Sequence, residues 1–158
     1  RTYNLIGDIM PIGEICNRDV IISHREDTVA DAAKLMREHH VGDVVVVDER
    51  DGVRFPVGIV TDRDLVVEIM ATELDQKVIT VGDIMLEELV TVKESVGIFE
   101  AVQYMRSKTV RRLPVVDDRG ALVGVLTLDD LLELLAEELL AISKLVNYQR
   151  QKETRRRP

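Results

Sequence analysis

Cysteine and aromatic residues are scarce in this sequence. Its 158 residues include one cysteine, Cys16, no tryptophan, and 3% aromatic residues. One cysteine cannot form an internal disulfide, and so few rings argue against a surface that stacks nucleic-acid bases. No apolar run approaches the roughly 20 residues of a membrane-spanning helix, and the first four residues do not resemble the start of a signal peptide. We therefore expect a soluble protein of the cytoplasm.

Basic residues are also few in comparison with acidic residues. The chain has 21 lysines and arginines against 29 aspartates and glutamates, a net charge of −8. Nucleic-acid-binding domains carry clustered positive charge, so nucleic acid is not an expected partner of the body of the protein. With 46% hydrophobic and 32% charged residues, the composition is nevertheless that of a folded domain rather than a disordered one.

Motifs of catalysis and metal binding are missing as well. No acidic pair accompanies a nucleophile, and the glycines are too scattered for a phosphate-binding loop. His39 and His40 are adjacent, and neighbouring side chains on a helix point about 100° apart, so they cannot readily share a metal ion. We expect them to end a helix, where histidine complements the helix dipole. The sequence predicts a protein that is not an enzyme.

The sequence does contain an internal repeat. Residues 58–65 (GIVTDRDL) recur as residues 124–131 (GVLTLDDL), residues 28–36 align with 97–105, and residues 44–48 align with 113–117. The connection inside the first copy is three residues longer, a change that turns tolerate. A duplication that fills most of the chain predicts two similar units with related clefts where the units meet.

Both copies have the same order of predicted elements. A short β-type run at residues 20–22 precedes a helix whose apolar positions, counted from Val29 or from Ile98, follow the spacing i, i+3, i+4, i+7. Residues 44–47 are four valines and predict a strand that is buried on both faces. The strands are expected to end at turns, at Asp48 and Asp117, with Gly120 supplying a positive φ. A second helix follows in each copy, so that each reads β-α-β-β-α in an α/β fold. Its predicted apolar stripe in the first copy is Leu65, Val66, Ile69 and Met70.

The element order and the ending Gly-apolar-x-Thr-x-x-Asp closely resemble the CBS domain, whose units occur as tandem pairs called Bateman modules. The resemblance covers about residues 8–140, including VGDIM at residues 81–85 and VRRLPVVD at residues 110–117. It implies two units packed sheet to sheet with pseudo-twofold symmetry. The expected boundaries are an N-terminal segment at 1–15 that packs on the module, units at 16–75 and 76–140, and a helical extension with a basic tail at 141–158.

What the resemblance implies for function is a stand-alone, non-enzymatic sensor in signal transduction. Paired CBS domains bind adenosyl ligands between their units, so AMP, ADP or ATP is expected here as a regulatory ligand, with S-adenosylmethionine or NAD as further candidates and no required cofactor. Such pairs also dimerise, which predicts a homodimer that regulates an unknown effector protein. The alternative is a ligand-free CBS dimer whose function is protein interaction.

Two Thr-x-x-Asp motifs are the candidate ligand residues. Thr61 and Thr127 are predicted to cap helices whose free N–H groups attract phosphate. One turn later, Asp64 and Asp130 can accept hydrogen bonds from the hydroxyls of a ribose, as the resemblance implies. From the spacing alone, the same residues are also an ordinary capping pair.

Charge distinguishes the two copies. The second carries Arg111 and Arg112 before its strand, and arginine suits phosphate oxygens, whereas the first carries Gly42 and Asp43. Arg63 partly restores positive charge to the first copy, unless it is only a solvated surface residue. The arginine pair Arg111 and Arg112 could serve either cleft. We predict that the tighter site lies around Thr127 and Asp130 and is lined by Thr91, Val92, Leu113 and Pro114. In the first copy, the matching lining is predicted at Ile21, Ile22 and Val44.

Beyond the second copy the helical pattern continues. Leu132, Leu135, Leu139, Ile142 and Val146 form one apolar stripe that is longer than a repeat needs to cover its own sheet, which favours contact with a partner. The chain then becomes basic from Lys144 onward. This end has two interpretations: a contact with an acidic surface, a membrane headgroup or nucleic acid, or a frayed and solvated terminus.

Overall fold

The computed structural model describes residues 10–86 and 88–156 and divides into two compact units. The first unit extends to Leu126 and holds both three-stranded sheets, except for the last residue of the sixth strand. The second unit begins at Thr127 and consists of one long helix. Predicted boundaries at residues 15, 75 and 140 remain predictions.

The first repeat forms a sheet in the order β1-β2-β3, with β1 parallel to β2 and β2 antiparallel to β3. The π-helix that ends the repeat directly continues its second α-helix. The elements are β1 Ile22–Ser23, α1 Val29–His39, β2 Asp43–Arg50, β3 Val53–Thr61, α2 Asp62–Asp64 and the π-helix Leu65–Met70.

The second repeat has a sheet of the same design, in the order β4-β5-β6, with β4 parallel to β5. A short helix precedes it. The elements are α3 Val81–Ile84, β4 Val92–Lys93, α4 Ile98–Lys108, β5 Arg112–Val116, β6 Leu122–Thr127 and α5 Leu128–Arg156. The predicted α/β class and the β-α-β-β-α order of both copies are confirmed.

Helices α1 and α4 begin and end at equivalent residues. Thr28 caps α1, because its side chain accepts a hydrogen bond from Asp31 N at 3.1 Å. At the other end, His40 adopts the left-handed conformation (φ 54°), as Thr109 does after α4 (φ 56°). His39 and His40 therefore end a helix, as predicted. Among the described residues, no group of three potential metal ligands comes together.

The valines of β2 form the centre of the first repeat. Residues 44–47 have exposed fractions of 0–1%, so the predicted burial on both faces of this strand is confirmed. Val44 and Val46 point to the same side and pack with Ala32, Met36 and neighbouring apolar side chains. Because interiors are closely packed, this cluster fixes the positions of both ends of β2.

The β2–β3 hairpin is longer than the sequence predicted. We expected the strand to end at Asp48, but β2 continues to Arg50 and turns at Asp51 and Gly52, whose φ angles are 52° and 75°. Two consecutive positive φ values are typical of the tight turn that matches strand twist. In the second repeat Gly120 has φ 85°, so the positive φ predicted there is confirmed.

The second helix of the first repeat also differs from the prediction. A regular α-helical stripe was predicted, but Leu65–Met70 is a π-helix, in which Ala71 N donates to Val66 O five residues earlier. The wider turn buries Ile69 (4% exposed) and leaves Met70 largely exposed at 71%. One predicted stripe is thus divided between the core and the surface.

The segment before the first repeat lies on the second repeat. Ile12 N donates to Val96 O at 2.8 Å, and Gly13 N donates to Glu94 O at 2.9 Å. Ile12 is completely buried. Residues 1–9, which belong to the predicted N-terminal segment, lie outside the described residues.

The segment before the second repeat makes the reciprocal contact with the first. Val81 N donates to Asp27 O at 2.8 Å, and Gly82 N donates to Arg25 O at 3.0 Å. Val81 belongs to the same core cluster as Met36. Each repeat is therefore completed by the segment that precedes the other repeat, and the two exchanged segments tie the repeats together.

Candidate functional site

Thr61 and Asp64 form a closed capping box at the start of α2. Asp64 Oδ2 accepts hydrogen bonds from Thr61 N at 2.8 Å and from Thr61 Oγ1 at 2.9 Å. In return, Asp64 N donates to Thr61 Oγ1 at 3.2 Å. Within the described part of the chain, Asp64 Oδ1 accepts no hydrogen bond. One carboxylate oxygen thus holds the cap while the other is available to a ligand hydroxyl.

Thr127 and Asp130 have the same arrangement in the second unit. Asp130 Oδ2 accepts from Thr127 N at 3.0 Å and from Thr127 Oγ1 at 2.6 Å, and Asp130 N donates to Thr127 Oγ1 at 3.1 Å. The two repeats therefore present the same pair of groups, each at a helix start and each partly buried.

Capping boxes of this kind are not confined to the two candidate positions. Thr80 and Asp83 form one at the start of α3, where the backbone N–H and the hydroxyl of Thr80 hold the pKa of Asp83 below its ordinary value. The capping role that the spacing allowed is thus confirmed for Asp64 and Asp130. A capping box alone does not mark a ligand site, so the candidate sites are distinguished by the residues around each box.

The surroundings of the Thr61 box contain an arginine from the second repeat. Arg112 Nε lies 2.6 Å from Asp43 Oδ1 across the two repeats, although this N–H is not aligned for a hydrogen bond. Asp43 pairs with Thr61 in the β2–β3 ladder. Both side chains are mostly buried, 29% and 15% exposed.

Asp62 completes this group. Its N–H donates to Gly42 O at 2.9 Å. A Cβ on Gly42 would lie 3.4 Å from Asp62 Oδ2 and 3.5 Å from an Arg112 guanidinium nitrogen. We call Gly42, Asp43, Thr61, Asp62, Asp64 and Arg112 the first-repeat cluster.

The sequence showed Asp43 only as a carboxylate where the second copy has an arginine, and its pairing with Arg112 was not predicted. The signal was present in the repeat, because Gly42-Asp43 and Arg111-Arg112 occupy equivalent positions before their strands and carry opposite charges. The structure brings these two equivalent positions together. Arg63, in contrast, is exposed, and its backbone N–H donates to the side chain of Asp62 at 2.7 Å.

The predicted apolar lining in the first repeat is shared with the core. Ile21 and Val44 pack in the cluster with Met36, and Val45 N donates to Ile21 O at 2.9 Å between β1 and β2. Ile22 is partly buried. Contact of these residues with a ligand remains a prediction.

In the second repeat, Thr91 and Val92 border a cavity of about 580 Å³ beside α4. Leu113 and Pro114 are fully buried in β5. The other residues around the cavity are Lys93, Val96, Glu100, Gln103, Tyr104 and Ser107. Whether Thr91, Val92, Leu113 and Pro114 contact a ligand likewise remains a prediction.

A protein-family model for the CBS domain matches residues 12–71 and 81–137. The chain belongs to the CBS domain family. These matches include the two capping boxes at Thr61 and Thr127, and the segments that the repeats exchange. The described residues contain no helix that is both long and apolar enough to cross a membrane.

Two curated relatives are similar to most of this chain. An uncharacterized protein of Methanopyrus kandleri is 41% identical over 78% of this chain and 61% of its own length. Inosine-5'-monophosphate dehydrogenase of Methanocaldococcus jannaschii is 36% identical over 76% of this chain, but over only 22% of its own length. The chain thus spans about three fifths of the first relative and about a fifth of the second.

A solved structure with bound ligands is also similar. The CBS domain pair of protein MJ0100, in complex with 5'-methylthioadenosine and S-adenosyl-L-methionine, superposes with a TM-score of 0.68 at 26% identity. The match covers 79% of this chain and 98% of that one. That CBS pair therefore binds adenosyl compounds.

Proposed function

We propose that this protein is a non-enzymatic regulatory sensor that binds an adenosyl ligand with its CBS repeats and signals through the shape of a homodimer. The observation that carries the proposal is that the capping boxes at Asp64 and Asp130 are partly buried at equivalent places in the two repeats, unlike the exposed box at Asp83, and that each carboxylate uses only one oxygen in its box. An open carboxylate oxygen suits the vicinal hydroxyls of a ribose. The ligands of the MJ0100 pair support the adenosyl class.

The charge of the first-repeat cluster bears on which adenosyl ligand is preferred there. Asp43, Asp62 and Asp64 are three carboxylates, and Arg112 lies against one of them. A phosphate that approached this arginine would compete with Asp43, at short range and in a partly desolvated place. The cluster therefore favours adenosyl ligands without phosphate, and AMP, ADP or ATP would bind more tightly at the other box.

A substitution at Asp43 tests this charge argument. We expect Asp43→Asn to raise the affinity for AMP by about three- to tenfold, because Arg112 becomes available to a phosphate, and to leave the affinity for 5'-methylthioadenosine unchanged. Isothermal titration calorimetry measures both. Asp48→Asn is the matched control, since Asp48 pairs with Arg25 at 2.8 Å outside the cluster. An equal gain for both ligands would contradict the argument.

A thermal-unfolding panel tests the proposed function itself. AMP, ADP, ATP, NAD, S-adenosylmethionine and 5'-methylthioadenosine would each be added at millimolar concentration. A ligand at a hundred times its dissociation constant adds about 2.7 kcal/mol, which should raise the midpoint by roughly 5 to 10 °C. Guanosine and inorganic phosphate serve as controls. No shift with any adenosyl compound would contradict the sensor.

The second candidate function is a ligand-free interaction module. It is favoured by one observation, the row of exposed apolar side chains along α5, such as Leu139 at 68% exposure. An apolar surface of this extent usually contacts another protein. If the thermal panel shows no shift while the protein is dimeric, this candidate replaces the sensor.

A further inference from the structure

The two exchanged segments repeat each other, as the units that follow them do. Residues 12–16 (IGEIC) and 81–85 (VGDIM) share the order of an apolar residue, glycine, an acid, isoleucine and a sulfur-containing residue. Each sulfur meets a glycine of a strand. A Cβ on Gly124 would lie 2.6 Å from Cys16 Sγ, and a Cβ on Gly58 would lie 2.6 Å from Met85 Sδ. Because glycine in a strand allows such a close approach, the two segments dock at equivalent places.

The two segments differ at the residue that follows. Asn17 N donates to Val125 O and Val125 N donates to Asn17 O, both at 2.9 Å, so Asn17 pairs in antiparallel fashion with β6. Since β6 is an edge strand, Asn17 extends this edge of the sheet. Leu86, the equivalent residue of the other segment, is 76% exposed and forms no bridge with β3 within the described residues. Segment 12–17 therefore holds its strand by backbone hydrogen bonds that segment 81–86 lacks in that part of the chain.

Strand β6 leads directly into the second capping box. Val125 lies two residues before Thr127, whose N–H and hydroxyl both donate to Asp130 Oδ2. On the other side of Val125, Gly124 is closed in by the segment, because a Cβ there would lie only 2.7 Å from Asn17 O. Packed and hydrogen-bonded contacts of this kind resist displacement. The docked segment thus fixes the course of β6 immediately before Thr127.

We propose that segment 12–17 positions the box of Thr127 and Asp130, so that docking of the segment and ligand binding at this box strengthen each other. Asn17 and Gly124 act as positioning residues and need not touch a ligand. Coupling of this kind is reciprocal, so an intact box also holds the segment in place. Its ligand-binding side rests on the proposed function, whereas the coupling itself can be measured without a ligand.

Gly124→Ala tests whether the segment positions the box. The added methyl group has no room against the docked segment. We expect the amide hydrogen of Thr127, which the box protects, to exchange about tenfold faster by NMR. Gly58→Ala is the matched control, since its methyl group meets Met85 in the first repeat, and it should change the exchange of Thr127 by less than about twofold. Unchanged exchange in Gly124→Ala, or equal acceleration in both variants, would overturn the proposal.

The reactivity of Cys16 tests the coupling from the other direction. It is the only cysteine of the chain and is 8% exposed, so a thiol reagent reacts when the segment opens. Asp130→Ala breaks the box and should raise the rate of labelling by dithiobis(nitrobenzoate) about fivefold. Asp130→Asn keeps an oxygen that can accept from Thr127 N, and should restore slow labelling. Asp83→Ala removes a capping box elsewhere and should change the rate by less than about twofold.

The labelling rates are compared in the range of urea where they do not depend on urea, which separates local opening from global unfolding. Circular dichroism would verify that each variant is folded. Equal rates in Asp130→Ala and Asp83→Ala would contradict the coupling, and so would fast labelling in Asp130→Asn.

A ligand separates this coupling from the proposed function. Saturating AMP should slow the labelling of Cys16 in the native protein about fivefold. If AMP raises the thermal midpoint but labelling is the same with and without AMP, the sensor stands and the coupling fails. If no adenosyl compound shifts the midpoint but Asp130→Ala still speeds labelling, the sensor fails and the positioning of the box stands.

Discussion

Replacement of Asp130 by alanine is expected to lower the affinity for an adenine nucleotide by about ten- to a hundredfold. A hydrogen bond to a charged group contributes roughly 1.5 to 3 kcal/mol, and the substitution removes the carboxylate that would accept the ribose hydroxyls. The loss should exceed that of Asp64→Ala, because we propose that the carboxylates of Asp43 and Asp62 beside Asp64 weaken nucleotide binding at the first-repeat cluster. Calorimetric titration with AMP measures both losses.

The capping role of Asp130 requires a control of its own. Loss of a helix cap costs about 1 kcal/mol whether or not a ligand is bound. Asp83→Ala removes the same kind of capping box from α3 and should leave AMP affinity unchanged. The comparison is made well below the unfolding temperature of each variant. Equal losses in Asp64→Ala and Asp130→Ala would contradict the ranking of the two boxes, and no loss in either would contradict the ribose role.

Replacement of Ile12 by alanine is expected to lower the free energy of unfolding by about 2 to 5 kcal/mol. The residue has no exposed surface, and removal of buried methyl groups leaves a cavity that the surroundings fill only in part. The effect is large for a residue near the start of the described chain, because Ile12 is completely buried and its backbone is hydrogen-bonded to Val96 of the second repeat. Urea denaturation, followed by circular dichroism, gives the change.

Glu14→Ala is the control in the same segment. Glu14 is exposed, and its substitution should change stability by less than about 0.5 kcal/mol. Val81→Ala provides the equivalent test in the reciprocal segment, where the loss should be somewhat smaller because valine has one carbon fewer. A loss below 1 kcal/mol for Ile12→Ala would mean that the exchanged segment contributes little to the stability of the pair.

The repeat made much of the fold predictable. Periodicity of apolar residues located α1 and α4, and four consecutive valines located β2, because burial on one helix face or on both strand faces leaves a direct trace in residue order. The prediction for the second helix of the first repeat was less accurate. Its stripe from Leu65 to Met70 does not distinguish an α-helix from a π-helix, since the two differ by only one residue per hydrogen-bonded turn.

The candidate site was predictable to a similar degree. The capping boxes followed from the spacing of Thr61 with Asp64 and of Thr127 with Asp130, because a cap involves only residues within one turn. The partner of Arg112 was not predictable in the same way. Asp43 lies 69 positions away in the chain, and a contact at that separation exists only after both repeats have folded.

The sequence by itself therefore determined the CBS repeat, the order of elements in each copy and the residues that cap its helices. These features depend on local spacing, burial and hydrogen bonds between near neighbours. Tertiary structure alone decided that the segments at Ile12 and Val81 are exchanged between repeats, and that Arg112 lies against Asp43. Such contacts join residues far apart in the chain, so the packing of the two repeats, rather than any local propensity, selects them.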